Sequence, residues 1–195
     1  MNANMRPALA VVGLSTLLCG LALPLGFTGV AQLAFPAQAN GSLVEREGTV
    51  IGSSLIGQGF TSERYFHPRP SATTEADSEK PGSTRAAPYN AAASAGSQAA
   101  PTSAALLQTL KERVAAEGRW PVPADAVTAS ASGLDPHVSP ENAARQVERV
   151  AAARGLASER VRALVARHTE GREWGLFGEP RVNVLRLNLA LDGLR

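Results

Sequence analysis

The amino-terminal part of this chain contains a long segment without charge. No Asp, Glu, Lys, Arg or His occurs between Arg6 and Glu45. A bilayer with a hydrocarbon core of about 30 Å needs about 20 helical residues, since each residue of a helix adds about 1.5 Å. Residues 8–30 are long and apolar enough to form a transmembrane helix, and residues 31–41 would then form a juxtamembrane linker. We therefore expect a single-pass membrane protein with most of its mass on one side.

The charges beside this segment predict its orientation. Arg6 and the terminal amine lie on the amino side, whereas the other side begins with the Glu-Arg-Glu run at residues 45–47. Positive charge is retained on the cytoplasmic side of a membrane. Residues 1–7 are therefore expected to form a short cytoplasmic terminus, and residues 42–195 an extracytoplasmic (periplasmic) domain at the cell (inner) membrane.

A cleaved signal peptide is the alternative interpretation of the same segment. Ala37-Gln38-Ala39 fits a small-x-small cleavage site. However, the apolar region of a signal peptide is about 7–15 residues long, whereas this apolar run passes Pro24 and continues to Phe35. The length favours a retained helix.

Composition limits the function classes that the outer domain can belong to. Cys19 is the only cysteine and lies in the apolar segment, so the chain can form no internal disulfide and no cysteine-based metal or redox site. The net charge is +2, and the arginines alternate with glutamates, which indicates a solvated surface and not a nucleic-acid interface. Aromatic residues make up only 5%, so the core is expected to consist mainly of Val, Leu and Ala.

Several segments of the outer domain read as extended structure or loops. Residues 41–53 are expected to form a hairpin that turns at Glu47-Gly48, because glycine accepts positive φ. The prolines in residues 65–71 predict an extended strap, and residues 73–102, rich in Ser, Ala, Gly and Pro, predict a long surface loop. The alternation of leucines within residues 181–189 predicts a strand.

Helix signals lie between these segments. Ser103 is expected to cap a helix that ends before Gly118, and Ser139-Pro140 to begin a helix that ends at Gly155. Ser158 is expected to cap a further helix. Strands at both ends with helices between them predict an α+β domain on a small, mainly antiparallel sheet.

One polar cluster is a candidate for hydrolase chemistry. Ser130 or Ser132 could act as the nucleophile, His137 as the base and Asp125 as the residue that orients it. No Gly-x-Ser-x-Gly elbow accompanies these residues. A hydrogen-bonded loop that precedes the helix beginning at residue 139 is therefore the favoured interpretation, and no catalytic residue is assigned.

The three histidines could in principle bind zinc together. His67, His137 and His168 are far apart in sequence, and no two of them have the i, i+4 spacing that places ligands on one helix face. We therefore assign no metal site and no cofactor of the domain's own.

Eight short blocks give the chain a resemblance that covers nearly its whole length. They are RPA (6–8), TLLCG (16–20), TGVAQ (28–32), FPAQANGSL (35–43), GSSLIGQ (52–58), YFHPRPSA (65–72), TASASGLDPH (128–137) and GEPRVNVL (178–185). In this order they resemble the C subunits of potassium-transporting P-type ATPases, the KdpC family.

The resemblance implies a non-enzymatic accessory subunit of an ATP-driven potassium uptake complex. The implied partners are a channel-like potassium-binding subunit (KdpA), an ATP-hydrolysing P-type subunit (KdpB) and a small membrane peptide (KdpF). The family is described as assembling the complex and as a catalytic chaperone that raises the ATP affinity of the pump subunit. ATP would be bound only through the complex.

The family blocks also give candidate residues for the partner interface. These candidates are Tyr65, His67, Arg69, Asp135 and His137.

A family stretch that is likened to a nucleotide signature corresponds to residues 94–98, where Ala95 and Gln98 depart from the Ser-Gly-Gly-Ser-Asn pattern. Because ATP is cytoplasmic and the domain is expected outside, assembly, or gating near the external potassium entrance, is favoured over nucleotide contact. The alternatives are a membrane-anchored envelope serine hydrolase and a stand-alone envelope binding domain.

Overall fold

A computed structural model describes residues 4–194, and the chain divides into two units that meet in sequence between Ser53 and Ser54. The first unit begins with one continuous helix, Met5–Ala34, none of whose residues is buried. It consists of α1 (Met5–Ser15), a π-helical stretch (Thr16–Ala22) and α2 (Leu23–Ala34). By length and composition this helix can cross a membrane.

The π-helical stretch lies directly before Pro24. In a regular α-helix the ring of Pro24 would clash with the carbonyl group of Gly20, four residues earlier. A wider turn at this point relieves the clash, and such local adjustments are typical of prolines in apolar helices.

The rest of the first unit consists of a short helix and a hairpin. Helix α3 (Pro36–Ala39) leads into strands β1 (Leu43–Arg46) and β2 (Thr49–Ser53), which pair antiparallel. The turn residues Glu47 and Gly48 have φ of 53° and 76°, the left-handed pair that a tight hairpin turn requires. The predicted hairpin is confirmed.

The second unit contains a three-stranded antiparallel sheet covered by helices. Strands β5 (His137–Val138), β6 (Thr169–Glu170) and β7 (Arg181–Asn183) form this sheet in the order β5-β7-β6. Helices α6 (Pro140–Arg154), α7 (Ser158–Arg167) and α8 (Val184–Asp192) pack beside it. The predicted α+β class is confirmed.

The core lies between this sheet and its helices, and its residues are mainly aliphatic. They are Phe66, Val138, Ala143, Val147, Val150, Ala151, Val161, Leu164, Val165, Val182, Val184, Leu187 and Leu191.

The predicted strand at residues 181–189 is wrong beyond residue 183. Helix α8 begins at Val184, and the Asn183 side chain caps it by accepting a 3.1 Å hydrogen bond from the Arg186 amide. The buried positions Val184, Leu187 and Leu191 follow the helical period. The buried polar residue Asn188 occupies the remaining position of that helix face. Because this position is not apolar, the leucines at 185, 187 and 189 have the alternating pattern that is typical of a strand.

Asn188 is buried because it holds the predicted strap. Its side-chain amide donates to the Phe66 carbonyl at 3.0 Å and accepts from the Phe66 amide at 2.8 Å. Gln146 on α6 makes the equivalent pair of bonds to His67, at 3.1 Å and 2.7 Å. Two side-chain amides thus replace a neighbouring strand and satisfy the strap's backbone groups.

The predicted caps have different outcomes. Ser103 caps α4 (Ala104–Glu117) and Ser139 caps α6, each with its hydroxyl oxygen accepting from the amide three residues later. The cap prediction at Ser158 is wrong, because α7 has Ala157 at its cap position and the Ser158 hydroxyl donates to Glu148 instead.

Two segments read as non-helical or as loop contain short regular elements. The expected loop 73–102 contains an antiparallel hairpin of β3 (Thr74–Ala76) and β4 (Thr84–Ala86). The segment after Trp120, whose prolines are typical of extended structure, enters the short helix α5 (Ala124–Val127).

Candidate functional site

An open cleft of about 860 Å³ lies beside β5 in the second unit. Its walls come mainly from three separated segments, residues 119–125, 135–141 and 179–181, and Arg69 and Arg145 also line it. Much of the lining is apolar, with Trp120, Pro121 and Pro180 among the wall residues. We call it the β5 cleft. It combines apolar walls with a few charged side chains, as binding sites commonly do.

Three of the five predicted interface residues lie together on this cleft. Arg69 donates to Asp135 in a 2.8 Å ion pair, and His137 lies on the other side of the same carboxylate, with Nδ1 3.4 Å from Oδ1. The His137 amide also donates to Asp135 at 3.0 Å. All three side chains are half-buried. The cluster therefore fixes the shape of the cleft and contributes to its surface.

The charge of Asp135 is held by these contacts. Burial alone raises the pKa of this carboxyl, but hydrogen bonds from the His137 side chain and backbone and from Arg69, together with the Arg69 charge, outweigh burial and lower its pKa to about 2. Asp135 is therefore ionised at neutral pH and acts as an acceptor that orders Arg69 and His137.

Tyr89 and Thr128 complete the surroundings of Arg69. The Tyr89 hydroxyl donates to the Arg69 carbonyl at 2.6 Å, and Arg69 Nε donates to the Thr128 carbonyl at 3.3 Å. Burial, followed by the nearby Asp135 charge, raises the pKa of Tyr89, while the Arg69 charge opposes the shift. Tyr89 thus stays a neutral donor that fastens the strap.

Arg145 shapes the opposite wall. Its guanidinium donates to the carbonyls of Arg119 and Pro121 and, at 3.1 Å, to the Glu117 carboxylate. These bonds hold the turn after α4, which contains the cis Trp120-Pro121 bond. Trp120 itself remains 78% exposed. The bonds of Arg145 therefore fix the turn that carries Trp120, whose ring is exposed to solvent on the cleft.

Asp125 has a structural role at the start of α6. Its carboxylate accepts from the Ser139 amide at 2.7 Å, the Ser139 hydroxyl at 2.8 Å and the Asn142 side chain at 3.0 Å. A carboxylate at a helix amino terminus is favoured by the exposed amides and the helix dipole.

The residues of the hydrolase alternative are not assembled. Within residues 4–194, the hydrogen bonds of Ser130 and Ser132 include a contact with each other at 3.3 Å but none with His137. His137 faces Asp135, not Asp125. The expected alternative of a hydrogen-bonded loop before α6 describes what the structure contains.

The three histidines do not come together as a metal site. In the described part of the chain, no three His, Cys, Asp or Glu side chains form a group that could hold a metal ion. His168 ends α7, where burial and then the charges of Arg167 and Arg186 lower its pKa.

The other two predicted interface residues, Tyr65 and His67, lie on the strap away from the Arg69 cluster. The Tyr65 hydroxyl donates to Asp192 at 3.3 Å, and its ring lies 4.8 Å from the Arg154 guanidinium. His67 lines a smaller cavity of about 220 Å³. Their role at a partner interface stays a prediction.

Residues 94–98 are packed against the loop before β5. The Ser94 hydroxyl and the Ala95 amide both donate to the Ser132 carbonyl at 3.0 Å. A side chain at Gly96 would approach the Ala131 carbonyl oxygen to 2.8 Å. The Ala95 amide, one of the backbone groups that a phosphate cradle would present, is thus engaged within the domain.

The sequence alone did not predict most of the residues that line the cleft. The prolines at positions 121 and 123 are typical of extended structure, and nothing in the local sequence marks Arg145 as a wall residue. An exposed tryptophan beside prolines is a signal for a contact surface. Pro180 lies in a family block, but its place on the same cleft as Trp120 depends on the tertiary fold.

Comparisons with known proteins identify the chain's relatives. The family model described as "K+-transporting ATPase, c chain" (KdpC) matches residues 5–193. A protein of Methylorubrum extorquens named "Potassium-transporting ATPase KdpC subunit" is 59% identical over 196 residues, which cover 98% of this chain and 97% of that relative. Proteins with the same name from Rhodopseudomonas palustris and Sorangium cellulosum are each 55% identical and are matched over 100% of both chains.

Proposed function

The chain belongs to the KdpC family of potassium-transporting ATPase subunits, and from this premise we propose that it is a non-catalytic accessory subunit of a high-affinity potassium uptake complex. Its apolar helix anchors it in the cell membrane with the amino terminus in the cytoplasm. The second unit lies outside and stabilises the assembled complex. The observation that supports this proposal is the similarity of the chain, over its full length, to proteins named as KdpC subunits.

The partners follow from the family. They are the potassium-binding channel-like subunit, the ATP-hydrolysing P-type subunit and the small membrane peptide. We propose that the β5 cleft is a surface through which the outer domain contacts an extracytoplasmic part of a membrane partner. Trp120 is 78% exposed there, and exposed aromatic side chains are enriched where proteins associate.

The proposal assigns no cofactor to this chain. An effect on the ATP affinity of the pump subunit would be indirect: an outer domain that binds one conformation of the complex better than another shifts the population of conformations. The packing of residues 94–98 against Ala131 and Ser132 supports this indirect route over direct nucleotide contact.

Two measurements test the proposal together. A strain that lacks this chain but keeps the other subunits is grown at micromolar potassium, and the tagged ATP-hydrolysing subunit is purified in mild detergent from cells with and without the chain. We expect no growth without the chain, growth when it is restored, and co-purification of the chain with the pump. Normal growth of the deletion strain would refute the proposed function.

A further inference from the structure

A turn between β6 and β7 exposes three large apolar side chains at its end. Trp174 is 93% exposed, Leu176 69% and Phe177 57%. The rings of Trp174 and Phe177 meet edge to face, with centroids 6.0 Å apart. We call residues 173–177 the tryptophan tip.

The tryptophan tip has a fixed conformation. Glu173 and Phe177 exchange backbone hydrogen bonds of 2.9 Å and 3.0 Å, which close the turn. Trp174 has φ of 52° and Gly175 has φ of 73°. Positive φ is rare for a bulky residue such as tryptophan, and such conformations cluster at functional positions.

Ion pairs fix the base of the tip. Arg172 pairs with Glu179 at 2.7 Å, and Arg181 pairs with Glu173 and with Glu170, both at 3.1 Å. Single exposed pairs contribute little, but here they connect both sides of one turn. The apolar side chains are therefore held in place before any partner arrives, which lowers the entropic cost of binding.

The three apolar side chains of the tip expose a large area. Since an aromatic side chain can bury about 150–250 Å², the three tip side chains expose roughly 450 Å². This is more than half of the about 800 Å² that each partner contributes to a standard interface. Glu179, Pro180 and Arg181, at the base of the tip, also line the β5 cleft. The base of the tip and the cleft therefore share these residues, so a partner bound at the tip would also lie beside the cleft.

We infer that the tryptophan tip inserts into an apolar pocket on the extracytoplasmic face of another subunit of the potassium uptake complex. This inference rests on the proposed function and names the anchor of that association. Trp174 and Phe177 are the side chains that fill the pocket, and the ion-paired side chains at the base of the tip form the polar rim.

Charge favours a protein partner over a lipid surface. Attraction to anionic lipid headgroups requires surplus Lys or Arg beside the apolar side chains. At the tip, Arg172 and Arg181 are neutralised by three glutamates. A bilayer would therefore be the wrong occupant, and the experiment also separates another subunit from a second copy of this chain.

Photo-crosslinking in membranes tests the inference. Trp174 is replaced by p-benzoylphenylalanine in cells that make the complete complex, and Leu107, a 54% exposed side chain on α4, receives the same replacement as the matched control. We expect position 174 to give a product with another subunit of the complex, identified by mass spectrometry, and position 107 to give none. A product with lipid only, with a second copy, with an unrelated protein, or no product at all would overturn the inference.

A double variant, Trp174→Ser with Phe177→Ser, gives a second readout. It should reduce co-purification with the tagged pump subunit at least tenfold, whereas Leu107→Ser should retain it. Because only exposed side chains change, the thermal unfolding of the variant should match that of the wild type. If the deletion strain does not grow at low potassium but this variant still co-purifies normally, only the inference about the tip is refuted. If the deletion strain grows normally, the proposed function is refuted as well.

Discussion

Arg69 and Asp135 are joined by a 2.8 Å ion pair although 66 residues separate them in sequence. Arg69 belongs to the strap that Asn188 and Gln146 hold, and Asp135 belongs to the loop that leads into β5. The pair therefore couples the strap to one wall of the β5 cleft. Its two side chains are 19% and 28% exposed, so solvent weakens this ion pair less than a fully exposed one.

Removal of the Arg69 guanidinium should destabilise the second unit. Arg69→Ala leaves the Asp135 carboxylate half-buried with one partner fewer and removes the bonds to Thr128. We expect a loss of about 2–3 kcal/mol in the free energy of unfolding of the full chain in detergent. The matched control is Arg162→Ala, which removes a pair whose side chains are both more than half exposed and should cost under about 1 kcal/mol. Equal losses in the two variants would contradict the assigned role.

The pH dependence of stability should contain a contribution from Asp135. Its pKa in the folded domain is about 2, below the ordinary 3.8, so its contribution is complete above about pH 5 and is lost as pH falls through 4 to 2. The unfolding free energies of the wild type and Asp135→Asn are compared at pH 5 and pH 2. The wild-type advantage should shrink by about 2 kcal/mol between these values. A gap that stays constant with pH would show that Asp135 is not held ionised by its neighbours.

Gly96 should be required for packing. A Cβ there would meet the Ala131 carbonyl oxygen at 2.8 Å, whereas a Cβ at Gly171 would meet nothing within 4 Å. Gly96→Ala should therefore lower the unfolding temperature by several degrees, and Gly171→Ala should leave it nearly unchanged. ATP should not restore the stability of Gly96→Ala, because the position is assigned to packing. Restoration by ATP would point to a nucleotide site instead.

Trp120 should matter for association and not for stability. Its side chain is 78% exposed on the β5 cleft, so Trp120→Ala removes few internal contacts. We expect weaker co-purification with the pump subunit, by about thirtyfold or more, as for an aromatic anchor worth at least about 2 kcal/mol. The unfolding temperature of the chain should change little. Leu107→Ala, an exposed position on α4, serves as the control and should bind normally.

Local signals in the sequence predicted much of the fold. Ser103 and Ser139 cap the helices that follow them, and Glu47-Gly48 forms the turn of the first hairpin, because each feature is decided by residues within one or two turns of chain. Ser158 failed as a cap because Glu148, on a neighbouring helix, takes its hydroxyl. Helix α8 was missed because Asn188 serves a distant strap and so interrupts the apolar pattern.

The candidate site was predictable only in part. The family blocks contained Arg69, Asp135 and His137, and the fold brings these three together. Residues 171–180, which form the tryptophan tip and its base, were given no element, since their shape depends on ion pairs across the turn. The wall held by Arg145 joins residues from different elements, and no local pattern encodes such a contact.

Labelling of single cysteines tests most directly the claim that the folded domain acts outside the cytoplasm. Cys19 is the only native cysteine, so Cys19→Ala provides a background into which Lys111→Cys, on an exposed part of α4, or Asn4→Cys is introduced. A membrane-impermeant maleimide is added to spheroplasts before and after the membrane is opened. The account predicts that position 111 reacts in intact spheroplasts and that position 4 reacts only after opening. Reaction at position 111 only after opening would place the domain in the cytoplasm and contradict the account.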